Sequence, residues 1–181
     1  DQRVIVNSGT SCYGSSSERL KQRGTLSHNT VTVNGENSSE VWGGFRVARR
    51  AYSRKLKILN SQSGNNLEVH CSHDGYDRLK GKPVHTRSWC MNESELLIKD
   101  NVLGHYKTAE ARFHFHPNVE IEMNLLSQEI IFNTGKISFK GSIKIEKFHY
   151  DYSQGFNKKI KATKIEVSFI GSLESKINLK I

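Results

Sequence analysis

The densest reactive chemistry in this 181-residue chain lies near its N-terminus. Asn7-Ser8-Gly9-Thr10-Ser11-Cys12-Tyr13-Gly14 is followed by Glu18-Arg19, Gln22-Arg23-Gly24-Thr25 and His28-Asn29-Thr30. An imidazole beside an amide or carboxylate can hold zinc or orient a substrate, and guanidinium groups grip carboxylates or sulfates with two parallel hydrogen bonds. The segment leaves a strand-like run at Val4–Val6 and re-enters one at Asn29–Val33, so Asn7 and His28 fall near strand ends that folding can bring together. Each residue also has a structural alternative. His28 could cap a turn, and Arg19 and Arg23 could pair with Glu18 or Glu40.

Other signals carry less chemistry. His70, Cys71 and His73 crowd one strand, where His70 and Cys71 would face opposite ways. His114 and His116 share a face but alternate with Phe113 and Phe115, which reads as the polar side of a half-buried strand. Arg46, Arg49 and Arg50 cannot all share one strand face. Cys12, Cys71 and Cys90 are odd in number and show no CxxC spacing, so neither a disulfide framework nor a zinc ribbon follows. No Walker loop, GxGxxG or HExxH occurs.

The elements that must position these residues are strands. Thr and Val alternate from Asn29 to Val33 before Asn34-Gly35, a hairpin signal because both residues tolerate positive φ. Arg46–Leu59 reads as one long strand or two, and Leu67–Cys71, Val84–Trp89 and Glu95–Ile98 follow. Ala111–His116 and Val119–Met123 alternate. Ile137, Phe139, Ile143 and Ile145 share one face opposite Lys136, Lys140, Lys144 and Glu146, and Ile165, Val167 and Phe169 repeat the pattern. Only Ser16–Lys21 looks helical. The fold class is all-β, a large antiparallel β-sandwich, with residues 1–181 as a single domain.

The net charge of +9 is divided by residue type. Nine of ten arginines lie between Arg3 and Arg87, whereas eight lysines fall between Lys136 and Lys164. Arginine suits planar acidic groups, while a lysine-rich face is often only a solvated sheet surface. An acidic partner is expected. Nucleic acid is disfavoured, because aromatics are not interleaved with the basic residues apart from Lys147-Phe148-His149-Tyr150. No apolar run approaches a membrane span.

Thr25-x-x-His28-Asn29-Thr30-Val31, preceded by Arg19, Arg23 and Asn7-x-Gly9-Thr10-x-x-Tyr13, resembles the C-terminal β-domain of the heparinase II/III-like polysaccharide lyases. The resemblance continues through Ser39-Glu40-Val41-Trp42, Phe45–Ala51, His73-Asp74-Gly75-Tyr76-x-Arg78-Leu79, His85-x-Arg87 and Phe113–Pro117. It implies a β-supersandwich that follows an (α/α) toroid, with the active site in the cleft between them. The implied reaction is β-elimination at a uronic acid, with catalytic residues supplied largely by the toroid. The resemblance further implies that Tyr13 assists proton transfer and that Arg19, Arg23, Asn29 and Trp42 meet an acidic polysaccharide. His28 would be a zinc ligand of the full-length parent. Asn7 stands where the family carries an aspartate, and a neutral amide is a poor zinc ligand. The alternative is that Asn7 and His28 hydrogen-bond across two strand ends.

The chain begins at Asp1 directly in strand-like sequence, without an initiator Met or a signal peptide. The expectation is a C-terminal fragment, inactive alone, whose toroid and first β-strands lie upstream. The alternative function is a non-catalytic carbohydrate-binding or surface-polysaccharide-assembly protein on the same fold. The family's habits favour the periplasm over the cytoplasm for the parent.

Overall fold

The computed structural model describes residues 2–60 and 66–180. Asp1, where the fragment was expected to begin, lies outside the described residues. An extended N-terminal segment leads into a seven-residue helix, α1 (Ser17–Arg23), which is followed by a 3-10 turn at Thr25–Ser27. The strands are β1 (Val31–Val33), β2 (Val41–Trp42), β3 (Arg46–Val47), β4 (Ser53–Asn60), β5 (Leu67–His73) and β6 (Val84–Met91). Then come β7 (Glu95–Leu103), β8 (Ala109–His114), β9 (Ile121–Asn124), β10 (Glu129–Phe132), β11 (Gly135–Gly155) and β12 (Lys158–Leu179).

β11 and β12 form a hairpin of 21 and 22 residues on which the sandwich is built. The C-terminal stretch of β12 pairs with β7 (Ser172↔Asn101 to Asn178↔Glu95), and its N-terminal stretch pairs with β8 (Lys164↔His114 to Phe169↔Ala109). One layer therefore runs β4-β5-β6-β7-β12-β11-β10-β9, and the same hairpin continues into a second layer with β8 and β1. The crossing point is marked by Gly141 and Gly171, both at positive φ. A Cβ on Gly141 would lie 2.5 Å from the Ser172 carbonyl oxygen, so the bend admits only glycine there.

The core lies between the layers. Phe113 of β8 meets Phe139 of β11 with ring centroids 5.5 Å apart, and Phe115 meets Phe132 of β10 at 5.8 Å. Val31, Val33, Ile130, Ile137, Ile165, Val167 and Leu173 fill the space around them with no exposure. The alternation in the lysine-rich tail accounts for Ile137, Phe139 and Ile145, all buried. It fails at Ile143, which is 69% exposed. The register of β11 slips between Ser142 and Lys144, and the extra residue turns its side chain outward.

β8 also departs from its reading as half-buried. Phe113 and Phe115 enter the core, yet His114 is buried on the opposite face, edge-on to Tyr150 at 4.8 Å. The N-terminal segment pairs along the β8 edge, with Ile5 bridging Phe115, and the α1–3-10 segment lies over that face, where Leu20, Leu26 and Ser27 line the same cavity as His114 and Tyr150. Val4–Val6 forms only this single bridge and no strand of its own. Arg46–Leu59 is divided between β3 and β4.

A polar chain crosses the layers. Asp100 of β7 has no exposure; its Oδ1 accepts from Arg87 Nε at 2.7 Å and from His85 Nε2 at 2.7 Å, and its Oδ2 from Arg87 Nη2 at 3.0 Å. The Gly75 N–H donates to His73 Nδ1, so His73 carries its proton on Nε2 and donates to His85 Nδ1 at 3.2 Å. Burial works against ionising Asp100, but the Arg87 guanidinium and the two hydrogen-bond donors outweigh it and hold the carboxyl below its ordinary value. Burial, reinforced by neighbouring positive charge, pushes His73 down to about 4 and His114 down to about 3.

These histidines make the fold acid-sensitive. Between their ordinary value of 6.5 and the folded values near 4 and 3, the unfolded chain binds protons that the native chain refuses. Stability must therefore fall as pH drops through that window, by about 1.4 kcal/mol per pH unit for each group. Denaturant titrations at stepped pH should show this slope, and His73→Gln should make it shallower whatever its absolute stability.

Candidate functional site

α1 brings Arg19 and Arg23 onto one helical face, since they are four residues apart. The helix starts where Ser16 Oγ accepts the Arg19 N–H and stops at Gly24, whose N–H reaches the carbonyls of Leu20 and Lys21. The 3-10 turn then presents His28, while the β2–β3 hairpin contributes Val41 and Val47. These elements, with Thr10, Gln22, Ser39, Arg50 and Ala51, enclose an open concavity of about 450 Å³.

Three guanidinium groups line it: Arg19, Arg23 and Arg50. None has a carboxylate partner among the described residues. Arg19 Nη1 donates to Thr10 Oγ1 at 3.2 Å, and its buried Nε has no partner. Arg23 Nη1 donates to the Gly43 carbonyl at 2.9 Å. The acids that could have neutralised them are engaged elsewhere, Glu18 with Lys159 and Glu40 with Arg49 and Arg78. Arg50 also borders a second concavity, whose arginines are matched by acids: Arg54 by Asp74 and Asp77, and Arg78 by Glu36 and Glu40. Uncompensated charge is thus concentrated on one side of Arg50.

His28 and Asn7 do come together, with His28 Nδ1 3.3 Å from Asn7 Oδ1. Burial lowers the His28 pKa and favours its neutral form. Two donors, one a neutral carboxamide, fall short of a tetrahedral zinc shell. Among the described residues no group of three His, Cys, Asp or Glu side chains converges to complete it. The pair does not by itself fit zinc.

Asn29 has its carboxamide committed to the sheet. Its Nδ2 donates to the Val6 carbonyl at 3.0 Å, and its Oδ1 accepts the His114 N–H at 2.7 Å and His114 Nδ1–H at 3.1 Å. It closes the gap where Val4–Val6 and β1 meet end to end along β8. Its own carbonyl accepts from Arg87 Nη1 at 2.6 Å, which ties the residue after His28 to the buried Asp100 chain.

Trp42 and Tyr13 stand at the rim, 50% and 63% exposed. Arg46 stacks over Trp42 at 4.7 Å, and Arg19 lies 5.4 Å over the Tyr13 ring. Arg50 and the pair Arg87–Asp100 were not singled out from sequence as site residues. Asp100 had a signal: it shares the inward face of β7 with Ile98 and Val102, where a carboxylate must find a buried cation.

Residues 1–180 match the family described as Heparinase II/III-like, C-terminal. A solved heparinase III gene product superposes with a TM-score of 0.75 at 18% identity, over 98% of this chain and 28% of that one. The heparan sulfate lyase HepC from Pedobacter heparinus gives 0.71 at 14% identity, over 97% of this chain and 28% of that one. The chain therefore spans only about 28% of the length of these structures. No curated protein gives a significant match.

Asn29 and Trp42 should separate framework from rim. Asn29→Ala strands the Val6 carbonyl and the His114 N–H and should cost about 2 kcal/mol or more in denaturant unfolding. Trp42→Ala loses one exposed stacking contact and should cost at most about 1 kcal/mol.

Proposed function

The chain belongs to the heparinase II/III-like family as a C-terminal domain, and from that membership we propose that it serves a polysaccharide lyase acting by β-elimination on uronate-containing acidic glycans. The observation that carries this reading is the concavity in which Arg19, Arg23 and Arg50 stand without carboxylate partners. In β-elimination a base removes the proton α to the sugar carboxylate. The electron pair forms the ring double bond, and the 4-O-linked sugar leaves with a proton supplied to its oxygen. Negative charge accumulates on the carboxylate as an enolate-like dianion. Preorganised guanidiniums stabilise that charge without reorganising at the moment of reaction.

In this scheme Arg19 and Arg23 hold the uronate carboxylate, and Trp42 borders the adjacent sugar. Tyr13, beneath the Arg19 guanidinium, assists proton transfer. The base and the remaining catalytic groups belong to an (α/α) toroid domain, so this chain alone binds glycan without cleaving it. No step is assigned to zinc, because Asn7 and His28 do not suffice for it. Asn7 also favours a second reading. Its carboxamide, facing His28 at 3.3 Å, suits a lyase-like carbohydrate-binding or polysaccharide-assembly protein without elimination chemistry.

Mixed with uronate polymers, the isolated chain should give no rise in ultraviolet absorbance from unsaturated uronate; a rise would overturn the proposed inactivity. It should bind those polymers in a salt-sensitive manner. Arg19→Ala and Arg23→Ala should each weaken binding roughly tenfold or more, as expected for a charge-assisted contact. Undiminished binding in both variants would remove the concavity from the reading. With the full-length parent, cleavage supports the lyase reading and binding without cleavage the second.

A further inference from the structure

We propose that Phe45, Tyr13 and Phe156 form a second binding surface, a stacking platform for pyranose rings of an acidic glycan that leaves the arginine concavity. The proposal rests on the functional reading above and extends it from one concavity to a track. The three rings come from separate loops: Tyr13 from the N-terminal segment, Phe45 from the β2–β3 turn and Phe156 from the β11–β12 turn. They are nevertheless aligned. Tyr13 lies 6.3 Å from Phe45 with planes 11° apart, and 6.1 Å from Phe156 with planes 16° apart. Aromatic pairs of the core behave differently, with Phe113–Phe139 and Phe115–Phe132 tilted by 57° and 59°.

The aligned rings stay in water, Phe45 at 68%, Tyr13 at 63% and Phe156 at 61% exposure. Centroid distances of 6.1 and 6.3 Å are those of offset pairs, and the exposures show that each ring keeps uncovered surface. Three large apolar surfaces grouped this way mark an interaction site rather than core.

The loops that carry them are tied down. The Asn157 N–H donates to the Ser11 carbonyl at 2.7 Å, and the Ser153 N–H to that of Ser8 at 2.7 Å. Gly44 abuts Gly14 so closely that a Cβ would lie 2.5 Å from the Gly14 carbonyl oxygen. Arg23 holds the Gly43 carbonyl at 2.9 Å. A surface fixed before its ligand arrives loses little entropy on binding.

Charge identifies the occupant. Arg19 covers Tyr13 and also lines the concavity, while Arg46 covers Trp42; neither pairs with a carboxylate among the described residues. A sugar ring offers an apolar C–H face to the negative face of an aromatic ring. Carboxylate or sulfate groups on the same sugar can reach the guanidiniums beside it. An acidic glycan presents both features in register along its length.

Oligosaccharides of graded size from heparan sulfate, titrated calorimetrically into the whole chain, test this. Affinity should rise with length for the native protein. Phe45→Ala and Phe156→Ala should each weaken an octasaccharide roughly threefold to tenfold, the scale of one aromatic contact, and leave a disaccharide unchanged. Tyr13→Phe should bind the octasaccharide as the native chain does, and Tyr13→Ala should not. If Phe45→Ala and Phe156→Ala leave the octasaccharide unaffected while Arg19→Ala abolishes binding, the platform is wrong and the concavity stands. If no oligosaccharide binds the native chain, the underlying functional reading fails with it. If sedimentation shows a native dimer that Phe45→Ala dissociates, the rings are a self-association surface and the platform is overturned.

Discussion

A carboxylate with no exposure, Asp100, constrains much of this molecule. Removing such a charge from water costs several kcal/mol unless cations and donors surround it, and losing one partner of a buried pair typically costs about 3–5 kcal/mol. Arg87 and His85 occupy the same face of β6 because they are two residues apart, and the β6–β7 register sets Arg87 opposite Asp100. Having met Asp100 with two nitrogens, Arg87 uses its third on the Asn29 carbonyl. The outer layer is thereby fastened to the residue that joins the N-terminal segment to β8. The concavity adjoins that fastening, since His28, which lines it, immediately precedes Asn29.

The long β11–β12 hairpin supplies the other half of the frame. By pairing with β7 over one stretch and β8 over the next, β12 belongs to both layers and fixes their separation. Its turn also reaches the N-terminal loop, through Gly9↔Ser153 and the Asn157–Ser11 hydrogen bond. The same hairpin that encloses the core therefore positions Phe156 against Tyr13. Packing and surface chemistry share one element.

The fold class was legible in the sequence because alternation reports directly on which face of a strand is buried. It failed at the Ile143 bulge, where the strand is irregular, and at β8, a regular strand whose second face is also covered. The site was partly legible. Arg19, Arg23 and His28 do line one concavity, since α1 and the turn after it are local in sequence. Arg50 could not be placed, because its position depends on a hairpin folding back from twenty residues away. Asn29 was placed against glycan by resemblance alone, and its carboxamide is spent as donor and acceptor where two backbone segments meet.

The division of charge by residue type acquires a structural meaning. In the tail, Lys136, Lys144, Lys159, Lys161 and Lys164 each face a carboxylate. Most of that basic surface is compensated locally, and exposed pairs of this kind contribute little beyond solubility. At the concavity the balance is reversed. Three guanidiniums, those of Arg19, Arg23 and Arg50, line it, and that of Arg46 lies over the Trp42 ring, while nearby Glu18 and Glu40 bind other cations. Such a cluster repels itself when empty, and binding of the acidic glycan proposed above would relieve that repulsion. Net charge alone pointed to an acidic partner of any kind. The pairing pattern is what directs the proposal to this concavity and the exposed aromatic rings beside it.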